Sequence, residues 1–593
     1  MKHGNESFLI ESEGLVEGPL LPSDFLPEKN GVRGIFSRDV KPKSDEKVLK
    51  PTRRFCRLFS QGDQPSGQSL IDLGNLMETE DGDTNDDRDS NIPAGYTYLG
   101  QFIDHDITLD RDTELTLEGT IDPDRIENFR TPSLDLDSLY LDGPENNPEL
   151  YNSDKRTFKI GKTSDVQDLG IFDNDLPRKG DNAGQGENPT DAVIGDGRND
   201  ENLAVAQTHL AFLKFHNARA KANPEKSFED LRREVILHYQ AIVLTDFLPR
   251  VLDQDVLQDV LDNGRKFYTN EEKDCMPIEF SVAAYRMGHS MIRPTYEWNR
   301  IFNTDGLFRI ANFTQIFEFS GGSGSRGEGD SPFEGFPTLP SNWIVDWRRL
   351  FDFSEVGGEK HEQLNFARKL DAKMALDLKK LPEFEQMAQT VPAPLLSLAT
   401  RNLLRGRLVS LPSGQEVAAA VGETALTPTE ILSNVPEDQA EILRKHDFDK
   451  VTPLWYYILR ESMVQANGNH LGKVGSRIVA ETFVGLIENS SINVISEQPD
   501  LRFSMPEMLM ESPENINPLE LRILRLASPF MRGRDVRRVQ IELRERGYLT
   551  NDDDVDDIYG PKTEAAVRQF QTDQGIMIDG VVGPETYGQL GID

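Results

Sequence analysis

Four short segments carry side chains that could share one catalytic site. In GQFIDHD (residues 100–106), Gln101 and His105 stand at i and i+4 and share a face if the segment is helical, with Asp104 on the adjoining edge. In GDGRNDENLAVAQ (195–207), Arg198 and Glu201 are at i and i+3 and can face one site from the first turn of a helix. AAYRMGHSMIRP (283–294) sets His289 in a helical stretch rich in Ala and Met. SLATRNLLRGRLV (397–409) puts Asn402 and Arg405 at i and i+3. An imidazole can ligate a metal or move a proton, and a guanidinium can hold developing negative charge. Each segment alone has a plainer reading: a core histidine, a surface ion pair, a helix-end asparagine. A fifth segment, RTPSLDLDSLY (130–140), offers oxygen. Thr131, Ser133, Asp135 and Asp137 alternate, so an extended loop can turn them to one point, and Asp106 completes an oxygen-only set suited to calcium. The plainer reading there is an Asp-rich turn.

The elements that must hold these residues read as mainly α. Helical spacing runs through 201–222 and 227–252, then through 275–292, 361–380, 393–404, 437–446, 452–466 and 474–487. Strand signals are sparse. Residues 1–90 form an arm and loops, the helical bulk spans 91–530, and the style changes near 530. Beyond it, Gly560-Pro561 and Gly583-Pro584 each open a short helical run, with a nearby Thr as a candidate cap. His209 and His216, seven apart with no third ligand at metal spacing, read as structural.

Composition bounds the partners. The 593 residues carry 65 Lys and Arg against 101 Asp and Glu, a formal charge of −36, which opposes nucleic acid binding. No run approaches the ~20 apolar residues of a membrane helix. Cys56 and Cys275 are either free or form one bridge. No ordinary secretory signal is visible, so both a cytoplasmic home and a non-standard export route stay open.

Taken in order, G-Q-x-x-D-H-D, T-x-x-x-D-x-D, R-x-x-E, R-x-G-H and N-x-x-R resemble the animal-type haem peroxidases of the peroxidase–cyclooxygenase superfamily. The resemblance implies a haem b cofactor with His289 as proximal iron ligand and Asn402 accepting its other ring N–H. His105 would be the distal base and Arg198 the stabiliser of charge on the departing oxygen. Gln101 would position water or halide, and Asp104 and Glu201 would form ester bonds to haem. Arg405 would pair with a propionate, and Asp106, Thr131, the Ser133 carbonyl, Asp135 and Asp137 would bind calcium. The expected chemistry is oxidation of halide, thiocyanate or small organic donors by hydrogen peroxide. Asn202 stands where myeloperoxidase has a haem-linked Met, which favours bromide or iodide over chloride. The alternative is a haem-dependent fatty-acid dioxygenase. It needs a Tyr three residues before the proximal His, whereas Tyr285 lies four before His289. Residues 531–593 resemble a small three-helix peptidoglycan-binding domain, which implies either cell-wall glycan binding or simple packing and recruitment.

Overall fold

The computed structural model describes residues 53–592 apart from 80–87, 112, 114, 116, 118, 167–168, 185–187, 270–274, 305–309, 322–331, 380–392, 513–514, 520–522, 529 and 533. The expected N-terminal arm (1–50), most of the acidic loop and most of the Gly/Ser-rich segment at 320–335 lie outside the described residues.

Helices dominate. They are α1 (Gly67–Met77), α2 (Gly95–Ile107), α3 (Leu203–Ala222), α4 (Phe228–Ile242), α5 (Gln254–Asn263), α6 (Leu398–Leu408), α7 (Gly414–Val421), α8 (Glu437–Lys445), α9 (Leu454–Ala466) and α10 (Lys473–Asn489). Their starts follow local chemistry. Ser397 accepts the Thr400 amide at the head of α6, and Asn202 accepts the Val205 amide at the head of α3. α3 is buried on nearly every side, from Leu203 to Phe215, because it runs through the core rather than along its surface. α2 packs against it, with the Phe102 and Phe212 rings stacked at 4.7 Å.

Strands are short and serve as ties. β1 (Arg54–Cys56) pairs in parallel with β4 (Cys275–Pro277), and Cys56 and Cys275 form a disulfide across a separation of 219 residues. β2 (Glu78–Thr79) pairs with β8 (Met374–Ala375), and β3 (Asp89–Pro93) with β7 (Phe366–Arg368). β5 (Thr295–Tyr296) pairs with β6 (Ala311–Asn312).

Two helical expectations are corrected here. Residues 361–380 contain β7, β8 and a 3₁₀ turn (Leu376–Lys379), because their backbone groups find partners in β3 and β2. Residues 275–292 are not one helix but β4, a π turn (Glu279–Ala283) and a 3₁₀ turn (Ala284–His289). There the buried Glu279 carboxylate accepts the Leu58 and Phe59 amides, and Phe280 stacks on Tyr285 at 4.7 Å. These tertiary partners fix a tight irregular turn that a simple helix would not supply.

A second hydrophobic core gathers residues from Leu524 to Ile592. It contains α11 (Arg534–Glu545), α12 (Pro561–Gln574) and α13 (Pro584–Leu590). Leu524 pairs with Val582 and belongs to this core. Both later helices open with a Gly N-cap and Pro, without a side-chain cap, so Thr563 and Thr586 do not cap. Each instead accepts from a buried Gln. Gln540 Nε2 donates to Asp556 Oδ1, the Ile558 carbonyl and Thr563 Oγ1, while Gln571 Nε2 donates to Asp579 Oδ1, the Val581 carbonyl and Thr586 Oγ1. The same bracket occurs twice, so the recurring Gly-Pro element is a structural repeat.

Candidate functional site

Three of the sequence-selected residues line one cavity: Gln101 and Asp104 from α2, and His289 from the 3₁₀ turn. Tyr285 lines it too, with its hydroxyl donating to the Gly100 carbonyl at 3.2 Å. Asp104 Oδ1 accepts from Thr108 Oγ1 at 2.9 Å. His105, Arg198 and Glu201 are buried beside these elements.

The turn before α3 is tied directly to His105. Gly197–Asp200 is a 3₁₀ turn whose N-cap, Asp196, accepts the Arg198 amide and its Nε, both at 3.0 Å. Arg198 Nη2 donates to the His105 carbonyl at 2.9 Å and to Asp196 Oδ2 at 2.8 Å, while Nη1 is buried without a partner. The expected α-helical start for Arg198 and Glu201 is thus a 3₁₀ turn, and α3 begins only after Asn202. His105 Nδ1 donates to Asn199 Oδ1 at 2.8 Å, and Asn199 Nδ2 donates to His209 Nδ1 at 3.0 Å. Asn202 Nδ2 donates to Gln101 Oε1 at 3.0 Å, so the cap of α3 also holds the Gln101 side chain.

At the other end of the cavity residues, α6 brings Asn402 against His289. Asn402 Nδ2 donates to His289 Nδ1 at 2.9 Å. The sequence expectation had Asn402 accepting instead. A neutral imidazole can carry its proton on either nitrogen and an amide offers both a donor and an acceptor, so the pair is satisfied either way round. Arg405, one turn along, donates from Nη2 to Asp110 Oδ2 at 3.3 Å.

The oxygen-rich loop converges as its composition suggests. Carboxylate oxygens of Asp106, Asp135 and Asp137 lie within 4.8 Å of one another. Thr131 joins them through its hydroxyl, which donates to Asp137 Oδ2 at 3.1 Å, and Ser133 is buried in the same turn. Burial and the neighbouring Asp137 and Asp135 push the Asp106 carboxyl well above its ordinary range. Burial beside Asp137 pushes Asp135 up to about 7. Asp137 is raised as well, by burial, although Arg130 opposes this. Three converging carboxylates, Asp106 buried and Asp135 and Asp137 half-buried, suit a compensating cation.

An ion chain joins this loop to the 3₁₀ turn at Gly197–Asp200. Arg130 donates to Asp137 Oδ1 at 3.3 Å and, through Nε and Nη2, to Asp196 Oδ2. Burial would raise the Asp196 pKa, but Arg198 and Arg130 together hold it well below 3.8. Gly195 makes the approach possible, since a Cβ there would lie 2.3 Å from the Ser138 carbonyl oxygen. Sequence reasoning missed Asp196, Arg130 and Asn199, and it read His209 as merely structural. The available signal was the polar run D-G-R-N-D-E-N, buried from Arg198 to Asn202.

Comparison with known proteins places these segments in context. Residues 116–314 match the family described as animal haem peroxidase, and residues 532–590 match that described as "Putative peptidoglycan binding domain". The chain is 31% identical over 111 residues to a chorion peroxidase of Aedes aegypti, covering 16% of this chain and 14% of the relative. It is 37% identical over 79 residues to the N-acetylmuramoyl-L-alanine amidase CwlL of Bacillus licheniformis, covering 12% of this chain and 21% of the relative. The fold is similar to the solved structure of peroxidase A from Dictyostelium discoideum, with a TM-score of 0.53, 17% identity, and coverage of 78% of this chain and 94% of that one.

Proposed function

We propose that this chain, which carries an animal haem peroxidase domain and a C-terminal peptidoglycan-binding-type domain, is a haem peroxidase that reduces hydrogen peroxide and oxidises small donors. The observation that carries the reading is the single cavity lined by Gln101, Asp104 and His289. The buried, unpartnered Nη1 of Arg198 fits a site built to meet an anionic oxygen.

Haem, when bound, supplies the redox-active iron that peroxide oxidises and donors re-reduce. His289 would hold it through Nε2 as a neutral imidazole. Ligation by Nε2 leaves the proton on Nδ1, so Asn402 would present its carbonyl there, a half-turn of the amide from the orientation described above. His105 would take a proton from the near peroxide oxygen and return it to the departing one. Arg198 would offset the charge gathering on that departing oxygen. Gln101, held by Asn202, would position water or halide. Asp104 and Glu201 would supply the carboxylates for ester links to the haem edge, and Arg405 would meet a propionate. Calcium would sit among Asp106, Thr131, Ser133, Asp135 and Asp137, next in sequence to the distal base.

For donors, we favour bromide, iodide, thiocyanate or phenols over chloride, because Asn202 has no sulfur to form a third haem link. The C-terminal domain would bring the oxidant to cell-wall glycan. The test is an absorption spectrum of haem- and calcium-supplied protein before and after one equivalent of peroxide. A Soret band that shifts within seconds and returns on adding bromide or iodide supports the reading. A haem band indifferent to peroxide, or fatty-acid-dependent oxygen uptake without peroxide, sinks it. Retention of residues 523–593 on purified peptidoglycan at low salt tests the wall reading, and passage through the column without retention refutes it.

A further inference from the structure

His209 lies ten residues beyond Asn199, fully buried in α3. It is not among the residues that line the cavity, yet it sits at the end of a hydrogen-bonded chain that starts on His105. The chain has a direction. His105 Nδ1 donates to Asn199 Oδ1 at 2.8 Å, and the other end of the same amide donates to His209 Nδ1 at 3.0 Å. Turning the amide over would require both histidines to exchange tautomers together, so the orientation of Asn199 and the tautomer of His105 are coupled. His209 can serve as the terminal acceptor only while neutral, and burial, which lowers its pKa to about 3, keeps it so. The Phe102 ring packs edge-on against His209, with centroids 5.9 Å apart, and the imidazole is fully buried.

We propose that Asn199 and His209 are positioning residues that lock His105 in the tautomer with its proton on Nδ1, leaving the Nε2 lone pair as the base. The inference rests on the peroxidase reading of the site. The adjoining residue completes the hold. Arg198 takes the His105 backbone carbonyl while Asn199 takes its ring, so one 3₁₀ turn fixes the distal histidine at both ends. Without the amide, His105 could place its proton on Nε2 and would then present a donor where the reaction needs an acceptor. The role is that of an orienting partner in a base–orienter pair, which selects the tautomer without touching substrate.

The test combines a tautomer readout with a rate. Full-length protein carrying ring-15N histidine gives long-range proton–nitrogen correlations that distinguish Nδ1–H from Nε2–H, with His105 and His209 assigned from the H105Q and H209F spectra. The expected result is a single Nδ1–H pattern for His105 in the parent, in both the haem-free and the haem-loaded protein. Asn199→Leu should mix the tautomers and slow the peroxide-induced change of the haem band about 10- to 100-fold, with haem content kept. Asn199→Asp, which keeps an acceptor facing His105, should recover the Nδ1–H pattern and most of the lost rate. His209→Phe, which removes the amide's second anchor, should give an intermediate mixture and a smaller loss. It also stands as the second variant should Asn199→Leu fail to fold. An Nδ1–H pattern and a peroxide rate unchanged in Asn199→Leu or in His209→Phe would overturn the inference. A parent haem band that ignores peroxide would instead sink the peroxidase reading and leave the tautomer result to be judged on its own.

Discussion

Asp196 is the joint between the oxygen-rich loop and the Gly197–Asp200 turn, so its replacement tests whether the two are one unit. Asp196 and Asp137 face Arg130 and Arg198, a balanced set of two carboxylates and two guanidiniums. Side-chain exposures are 8% for Arg130 and 4% for both Asp196 and Arg198, so solvent screens little of the interaction. Asp196→Asn leaves one buried guanidinium uncompensated, which costs about 3–5 kcal/mol, or at least a 100-fold loss in the folding equilibrium. Arg130→Met removes the surplus charge. The double variant should therefore be about 2 kcal/mol more stable than the two single losses added together. Trp298, Trp343, Trp347 and Trp455 are the chain's 4 tryptophans, so urea unfolding followed by tryptophan fluorescence reads the larger core alone. The pH dependence follows from the depressed pKa. A carboxylate held well below 3.8 contributes stability that is present above 3.8 and is lost as pH falls through the folded value. The gap between parent and Asp196→Asn should thus be constant from pH 5 to 8 and close in stronger acid. Losses that add to within about 0.5 kcal/mol would refute the idea of a shared charge cluster.

Burial raises Glu461 to about 7 from an ordinary 4.5, although it accepts the Val474 and Gly475 amides at the head of α10. A raised carboxylate pKa destabilises the fold as pH climbs from 4.5 to 7, by at most about 3 kcal/mol. Glu461→Gln should flatten that decline in the same unfolding assay, and a parent-to-variant gap independent of pH would refute it. Calcium needs Asp135 ionised, and Asp135 sits at about 7. Affinity should fall between pH 8 and 6, with proton release seen by calorimetry in buffers of different ionisation enthalpy; constant affinity would count against this loop as the site. Gln571→Ala deletes the centre of one bracket in the second core and should destabilise that unit by about 2 kcal/mol or more. Hydrogen exchange across α11 to α13 would show it, while the tryptophan-monitored transition should not move.

What the sequence made legible was chemistry carried by residue type and order. Gln101, Asp104 and His289 do reach one cavity, and Asp106, Asp135 and Asp137 do converge. Long helices were legible too, because α3, α4, α9 and α10 are each long enough to show a period. The turns were not. The π and 3₁₀ geometry at Glu279–His289 depends on Glu279 finding the amides of Leu58 and Phe59, more than 200 residues earlier, and no local pattern records that. Similarly, 361–380 carries helical spacing, yet its backbone is claimed by β3 and β2.

The illegible turns are also where the chemistry is controlled, and the physical reason is shared. A regular helix satisfies its own amides, so its side chains are placed by packing alone. A 3₁₀ turn of four residues leaves backbone groups and polar side chains to be satisfied elsewhere, and it binds whatever satisfies them. At Gly197–Asp200 that partner set is Asp196 beneath Arg198, His105 beside it, and His209 behind Asn199. Arg198 and Asn199 thereby acquire fixed positions that their neutral neighbours on α3 do not need. It follows that substitutions within α3's apolar contacts should trade stability, whereas substitutions at Asn199 and Asn202 should act first on His105 and Gln101. Comparing Asn202→Ala with Val205→Ala separates the two. The former removes the Asn202 bond to Gln101 and, under the proposed function, should shift halide dependence, while the latter should cost about 1–3 kcal/mol of stability and leave halide dependence alone. Equal effects of both variants on halide dependence would show that the turn has no control of its own.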